Sequence, residues 1–145
     1  MGKFNYRFDS IIRVKEILEK RIQEEIALID KEIKDLRYQN SLIVEERGKN
    51  QRNMLSRPLK AAEFQSAKLY DSLLEKQIIE IQKKIELNLL KRQDKYRELV
   101  ERKKEQKVFE THKENQHIEY IVDEYRRELK DINEIGIRNY IGSQN

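Results

Sequence analysis

Apolar residues return along this chain every three or four positions, and that rhythm predicts helix almost from end to end. Asp9-Ser10 offers a helix cap, and Ile11, Val14, Leu18, Ile22, Ile26, Ile29, Ile33, Leu36, Asn40 and Ile43 follow it. Steps of three and four alternate except around Leu18–Ile26, where an extra four predicts a stutter that locally unwinds a supercoil. Asn40 reads either as a polar pin of register or as the point where the stripe frays. The rhythm dissolves over residues 48–58, which hold a Gly, two Asn, a Ser and the single Pro of the chain. Ser56-Arg57-Pro58 reads as the start of a second helix, because Pro is tolerated in a first turn. A second stripe then runs through Leu69, Leu73, Ile78, Ile81, Ile85, Leu89, Tyr96 and Leu99. After the highly charged Lys103–Lys107, a last one runs through Ile118, Ile121, Tyr125, Leu129, Ile132 and Ile135. Gly136 and Gly142 mark its fraying end.

Two long helices joined by one short turn run antiparallel. The expected fold is all-α, a single antiparallel coiled-coil hairpin over residues 1–145. Helix 1 is expected at about 9–50, the turn at about 48–66, and a longer helix 2 at about 59–140. With the turn centred near residues 53–57, facing residues have numbers that add to about 106–114, so helix 1 runs out of partner near residues 100–110 of helix 2. The stripe Ile118–Ile135 is then left without a partner in its own chain, and an apolar stripe on a lone helix marks a docking surface.

Composition agrees and narrows the chemistry. Ala, Glu, Lys, Leu and Arg make up about half of the 145 residues, the signature of long helices, while Gly (4) and Pro (1) are too scarce for the turns of sandwiches, barrels or dinucleotide-binding folds. No Cys is present, which excludes disulfides, thiolate metal sites and thiol catalysis. The start MGKFNYRFDS has no apolar core of a secretory signal, and Tyr6 stands where a myristoylation signal needs Ser or Thr. No run approaches the ~18 apolar residues of a membrane span, so a cytoplasmic protein is expected.

No catalytic, cofactor-binding or metal-binding residues emerge. His112 and His117 are five apart, off one helical face, and read as surface histidines. The carboxylates belong to a solvated charged surface, and neither a phosphate-cradling loop nor a nucleophile elbow occurs. No cofactor is expected. Charge is unevenly spread: residues 47–68 carry six Lys/Arg against Glu63 alone, residues 83–107 ten against five acids, and residues 108–145 five against eight. The basic tip reads as solubility with i,i+4 pairing, as docking on an acidic protein surface, or as nucleic-acid binding. Against the last, bases and acids interleave along helix 2 and no groove-reading motif is visible.

The two ends of the chain resemble the FliJ family of flagellar type III export proteins. The opening KFNYRFDSIIRVKEILEKRIQEE (residues 3–25) has the family's aromatic-rich lead followed by a charged amphipathic helix. The close DEYRRELKDINEIGIR (residues 123–138) has its paired Arg, its Lys, an acid-rich stretch and a final Arg. The resemblance implies a non-catalytic stalk, similar to the central γ stalk of rotary ATPases. It implies three partners: the export ATPase hexamer, whose pore the paired termini enter; the cytoplasmic domain of the export gate; and export chaperones. It implies a place at the cytoplasmic face of the inner membrane, reached through these partners only.

Near the turn, the family carries an aromatic, a Leu four residues on, and Glu-Lys, which contact the gate. Here that element reads Tyr70-Asp-Ser-Leu-Leu74-Glu-Lys. Leu69 and Leu73 fill the seam phase and leave Tyr70 and Leu74 one step out, as a small apolar patch; the alternative puts both in the seam. For the ATPase, Ile118, Ile121, Tyr125, Leu129, Ile132 and Ile135 supply apolar area, and Arg126, Arg127, Lys130, Glu134 and Arg138 supply orienting charges. The rival readings are a basic coiled coil that binds nucleic acid and a structural homodimer.

Overall fold

The computed structural model describes residues 2–143. Among them there are two helices and no strand: α1 (Asp9–Ser56) and α2 (Ala61–Ser143), of 48 and 83 residues. The fold is the expected all-α antiparallel coiled-coil hairpin with a longer second helix. It divides into two compact units, Lys20–Val100 on one hand and Met1–Glu19 with Glu101–Asn145 on the other.

In the unit Lys20–Val100, the reversal falls on residues 57–60, within the expected span but at its middle. α1 continues through Gly48, Asn50 and Asn53 instead of ending near residue 50. A helix tolerates these weak formers where tertiary contacts compensate. Asn50 Nδ2 donates to the Ala67 carbonyl of α2 at 2.9 Å. Pro58 lies in the connection and not in the first turn of α2. That turn opens with the Phe64 N–H donating to the Lys60 carbonyl at 2.9 Å.

The later reversal moves the register. On the sequence expectation Asp30 faces residues near 80; instead Arg92 Nε reaches Asp30 Oδ1 at 2.6 Å, and Lys95 Nζ reaches Glu25 Oε2 at 2.7 Å. The seam of α2 in this unit is Ala67, Asp71, Leu74, Ile78, Ile81, Ile85, Asn88, Arg92, Lys95 and Leu99, an unbroken alternation of four and three. Each of these is buried or half-buried, while Leu69, Leu73, Leu89 and Tyr96 are exposed. The apolar-only stripe had taken those four in place of Asp71, Leu74, Asn88, Arg92 and Lys95. On α1 the seam runs through Ile22, Ile26, Ile29, Ile33, Leu36, Asn40, Ile43 and Arg47. Ile22, Ile26 and Leu99 form its tightest apolar cluster. The seam does not fray at Asn40, which stays half-buried on it.

In the terminal unit, Asp9, Ile12, Lys15, Leu18 and Glu19 are the buried or half-buried residues of α1, and Ile11 and Val14 are exposed. Lys15 and Glu19 continue a regular alternation of three and four, and Leu18, which the expected stutter puts on the seam, is half-buried beside Glu19. Lys15 Nζ meets Glu105 Oε2 at 2.9 Å, and Lys113 Nζ meets Asp9 Oδ1 at 2.7 Å. Ahead of α1, residues 2–8 are not helical and lie along α2. Phe8 meets Phe109 edge to face, Phe4 packs on His117 and Tyr120, and the Tyr120 hydroxyl donates to the Gly2 carbonyl. An extended residue advances about 3.3 Å against 1.5 Å in a helix, so this short segment covers more than its own length of α2. The expectation that α2 loses its partner near residues 100–110 is therefore corrected: the partner reaches Tyr120.

Candidate functional site

The first candidate surface is the part of α2 that follows Tyr120. Ile118, Ile121, Tyr125, Leu129, Ile132 and Ile135 are all exposed, as are Val122, Ile137 and Ile141. Phe109, Lys113, His117 and Tyr120 define the side of α2 that holds residues 2–9. At 100° per residue, Ile118, Val122, Tyr125 and Leu129 fall on the opposite side, and Ile132 and Ile135 drift round from it. The described N-terminal segment thus leaves Ile118, Val122 and Leu129 exposed, while its Gly2 borders a hollow with Ile121 and Tyr125. Arg126, Arg127, Lys130, Glu134 and Arg138 are exposed on the same stretch. Among the described residues, Arg127 alone of these makes an ion pair, with Glu124 one turn back at 3.5 Å.

The second candidate, Tyr70 with Leu74, does not survive as a pair. Leu74 is 5% exposed and belongs to the seam, so it cannot face a partner. Tyr70 is 40% exposed, and its hydroxyl donates to Glu46 Oε1 of α1 at 3.4 Å. Loss of water around the phenol, and the Glu46 charge beside it, raise its pKa above the ordinary tyrosine value. The outward apolar patch here consists of Leu69 and Leu73, one turn apart, with Tyr70 next to them. A strict seam of three and four puts Leu74 inside and Leu73 outside. The polar Asp71 and Asn88 on that seam hid this from an apolar count.

Asp71 anchors the stretch between them. Arg47 Nε and Gln51 Nε2 donate to its Oδ1 at 2.9 and 3.1 Å, and Arg47 Nη2 also lies 3.7 Å from Glu75. The Arg47 hydrogen bond holds the Asp71 carboxyl below its usual range, and the same bond raises Arg47. Lys95 is raised by its hydrogen bond to Glu25, and in the terminal unit Glu105 is lowered by its bond from Lys15.

Sequence reasoning took the aromatic lead only as part of the resemblance and missed its packing on α2. Phe4, Tyr6 and Phe8 alternate with polar residues, which in an extended segment sets all three on one side. Tyr6 is 5% exposed, its hydroxyl hydrogen-bonds His112 Nδ1 at 2.5 Å, and its ring meets Phe8 and His112 edge-on. His112 and His117 thus hold the segment by ring contacts and a hydrogen bond. No group of three or more His, Asp or Glu fit to hold a metal occurs among the described residues. Among the described residues no helix is long and apolar enough to cross a membrane. No protein-family model matches the chain, and no curated protein or solved structure matches it.

Proposed function

We propose that this chain is a non-catalytic stalk of a flagellar type III export apparatus, which binds the export ATPase hexamer through α2 beyond Tyr120. The proposal joins the FliJ resemblance of the two ends to one structural observation. The stripe Ile118, Val122, Tyr125 and Leu129 is exposed along α2. An exposed apolar stripe on one helix suits a receptor, and the one that the resemblance implies is the axial hole of a hexameric ring. Six identical loops cannot match an asymmetric rod equally, so contacts are strong at a few subunits and weak at the rest. Arg126, Arg127, Lys130, Glu134 and Arg138 orient the helix by pairing with loop charges. The gate contact falls to Tyr70 with Leu69 and Leu73, and export chaperones complete the set of partners.

Ion pairing favours this reading over nucleic-acid binding. Lys15, Arg47, Arg92 and Lys95 are each held by a carboxylate of the facing segment, which leaves them little charge to offer phosphates. The test is ATP turnover of the purified export ATPase with the full-length chain and with a chain ending after Val122, with circular dichroism of both. Stimulation lost by a truncated but helical chain supports the proposal. Full stimulation by that chain overturns it. A mass measurement in solution separates the homodimer reading, which takes the same stripe for a second copy.

A further inference from the structure

We infer that the tip of the hairpin is a docking surface for an anionic lipid bilayer, which it contacts directly. Arg52, Arg57, Lys60 and Lys68 are exposed and make no ion pair among the described residues. Lys49 has only Glu45 of its own helix, at 3.8 Å. Arg47 is excluded from the count because Asp71 and Glu75 neutralise it. The one acid of the tip, Glu63, sits in the first turn of α2, where the positive end of the helix dipole favours it. Among these bases Leu55 stands out at 88% exposed, the barest large apolar side chain described, and Phe64, across the reversal in the first turn of α2, is exposed with Lys68 Nζ over its ring at 5.8 Å.

The pattern distinguishes a membrane from an acidic protein. A protein partner reads charge through fixed pairs and takes apolar knobs into a shaped pocket. A groove at the tip, between Asn50, Met54, Leu59 and Ala67, takes in Arg57 of the bases but neither Leu55 nor Phe64; Arg52, Lys60 and Lys68 sit outside it at the ends of exposed side chains around the turn of residues 57–60. A headgroup layer carries diffuse negative charge, needs no fixed geometry, and accepts Leu and Phe side chains at the acyl boundary. Each base near such a surface is worth about fivefold in partitioning at physiological salt.

The experiment uses the full chain with vesicles of phosphatidylcholine alone and of phosphatidylcholine with phosphatidylserine, read by co-sedimentation. Leu55→Trp supplies a reporter in a chain that has no Trp of its own. Binding is expected only to serine-containing vesicles, to weaken with salt, and to come with a blue shift of the Trp emission. Arg52→Gln/Arg57→Gln/Lys60→Gln is expected to lower partitioning by about a hundredfold at unchanged helicity. Lys31→Gln/Lys34→Gln/Arg37→Gln, which removes as many charges from α1 away from the turn, is expected to change it by less than about fivefold. Equal loss in both triple variants, equal binding to neutral vesicles, or sedimentation without a change in Trp emission each overturns the proposal. So does binding to polyglutamate without binding to vesicles, which returns the tip to an acidic protein partner.

Discussion

The two units of this chain solve the same problem, two segments side by side, with different materials. In Lys20–Val100 both partners are helices, and isoleucines and leucines alternate along the seam with charged groups that reach across it. In the terminal unit one partner for α2 is an extended aromatic segment, and beyond it α2 is bare. The first arrangement buries a seam of isoleucines and leucines, although Leu55, Leu69 and Leu73 stay exposed toward the turn; the second leaves a row of apolar groups along one helix in water. Most of the buried apolar side chains therefore lie in one unit, and a continuous exposed apolar stripe on α2 in the other. A chain selected only to fold has no need for Ile118, Tyr125 and Leu129 where they stand.

The sharpest way to break this comparison is to remove apolar bulk from each unit in turn. Ile26→Ala with Leu99→Ala empties the cluster they share with Ile22, at roughly 2–5 kcal/mol for each change. Leu129→Ala with Ile132→Ala removes comparable bulk from exposed positions and is expected to stay within about 0.5 kcal/mol each. Thermal unfolding followed by circular dichroism reads both. Similar losses in the two doubles mean that the bare stripe is covered within the chain after all.

The same contrast sharpens within a single turn of α2. Leu74→Ala is expected to cost about 2–5 kcal/mol because the side chain is buried, whereas Leu73→Ala, on the outward face, costs less than about 0.5 kcal/mol. The reverse order would restore the seam phase that an apolar count suggests.

That phase error shows what the sequence makes legible. The helices, the single reversal and the longer second helix all follow from isoleucine spacing and from the scarcity of Gly and Pro. The register does not, because the seam admits Asp71, Asn88, Arg92 and Lys95. Arg92 and Lys95 lay their methylene stems along the seam and carry their charges out to Asp30 and Glu25, so hydropathy scores them as surface when they are half inside. Gly48 and Pro58 read as a broad turn, yet helix contacts such as Asn50 to Ala67 carry α1 past Gly48 to Ser56. The stripe beyond Tyr120 was legible because nothing polar interrupts it. The aromatic lead was legible only to a period of two, in a chain otherwise read with a period near three and a half.

A smaller effect tests the aromatic segment. Tyr6→Phe keeps the ring between Phe8 and His112 but removes the hydrogen bond to His112 Nδ1, a net loss of about 0.5–1.5 kcal/mol. Because the segment is short, the loss is expected as local opening: faster amide exchange near residues 9–12, with little change in the melting of the helices. Cooperative destabilisation of the whole chain would show that the segment is part of the main folding unit.

The smallest effect separates the units by pH. Asp71 and Glu105 both have folded-state pKa values below their ordinary 3.8 and 4.5, each chiefly through a hydrogen bond from a base. A depressed carboxyl stabilises the fold above its unfolded-state pKa. That stability goes as pH falls from there through the folded value, because the unfolded chain takes up the proton first. Loss therefore begins near pH 4.5 for Glu105 and 3.8 for Asp71 and is complete below each folded value. The two carboxylates differ in shelter: the Asp71 side chain is 20% exposed and also accepts from Gln51, while that of Glu105 is 53% exposed with Lys15 as its one ion-pair partner. Water and salt screen the second pair more than the first. Asp71→Asn is thus expected to flatten the acid limb of the melting temperature at both low and high salt, and Glu105→Gln to flatten it only at low salt. Equal salt sensitivity of the two variants would show that the seam near Arg47 is no better shielded than the one near Lys15.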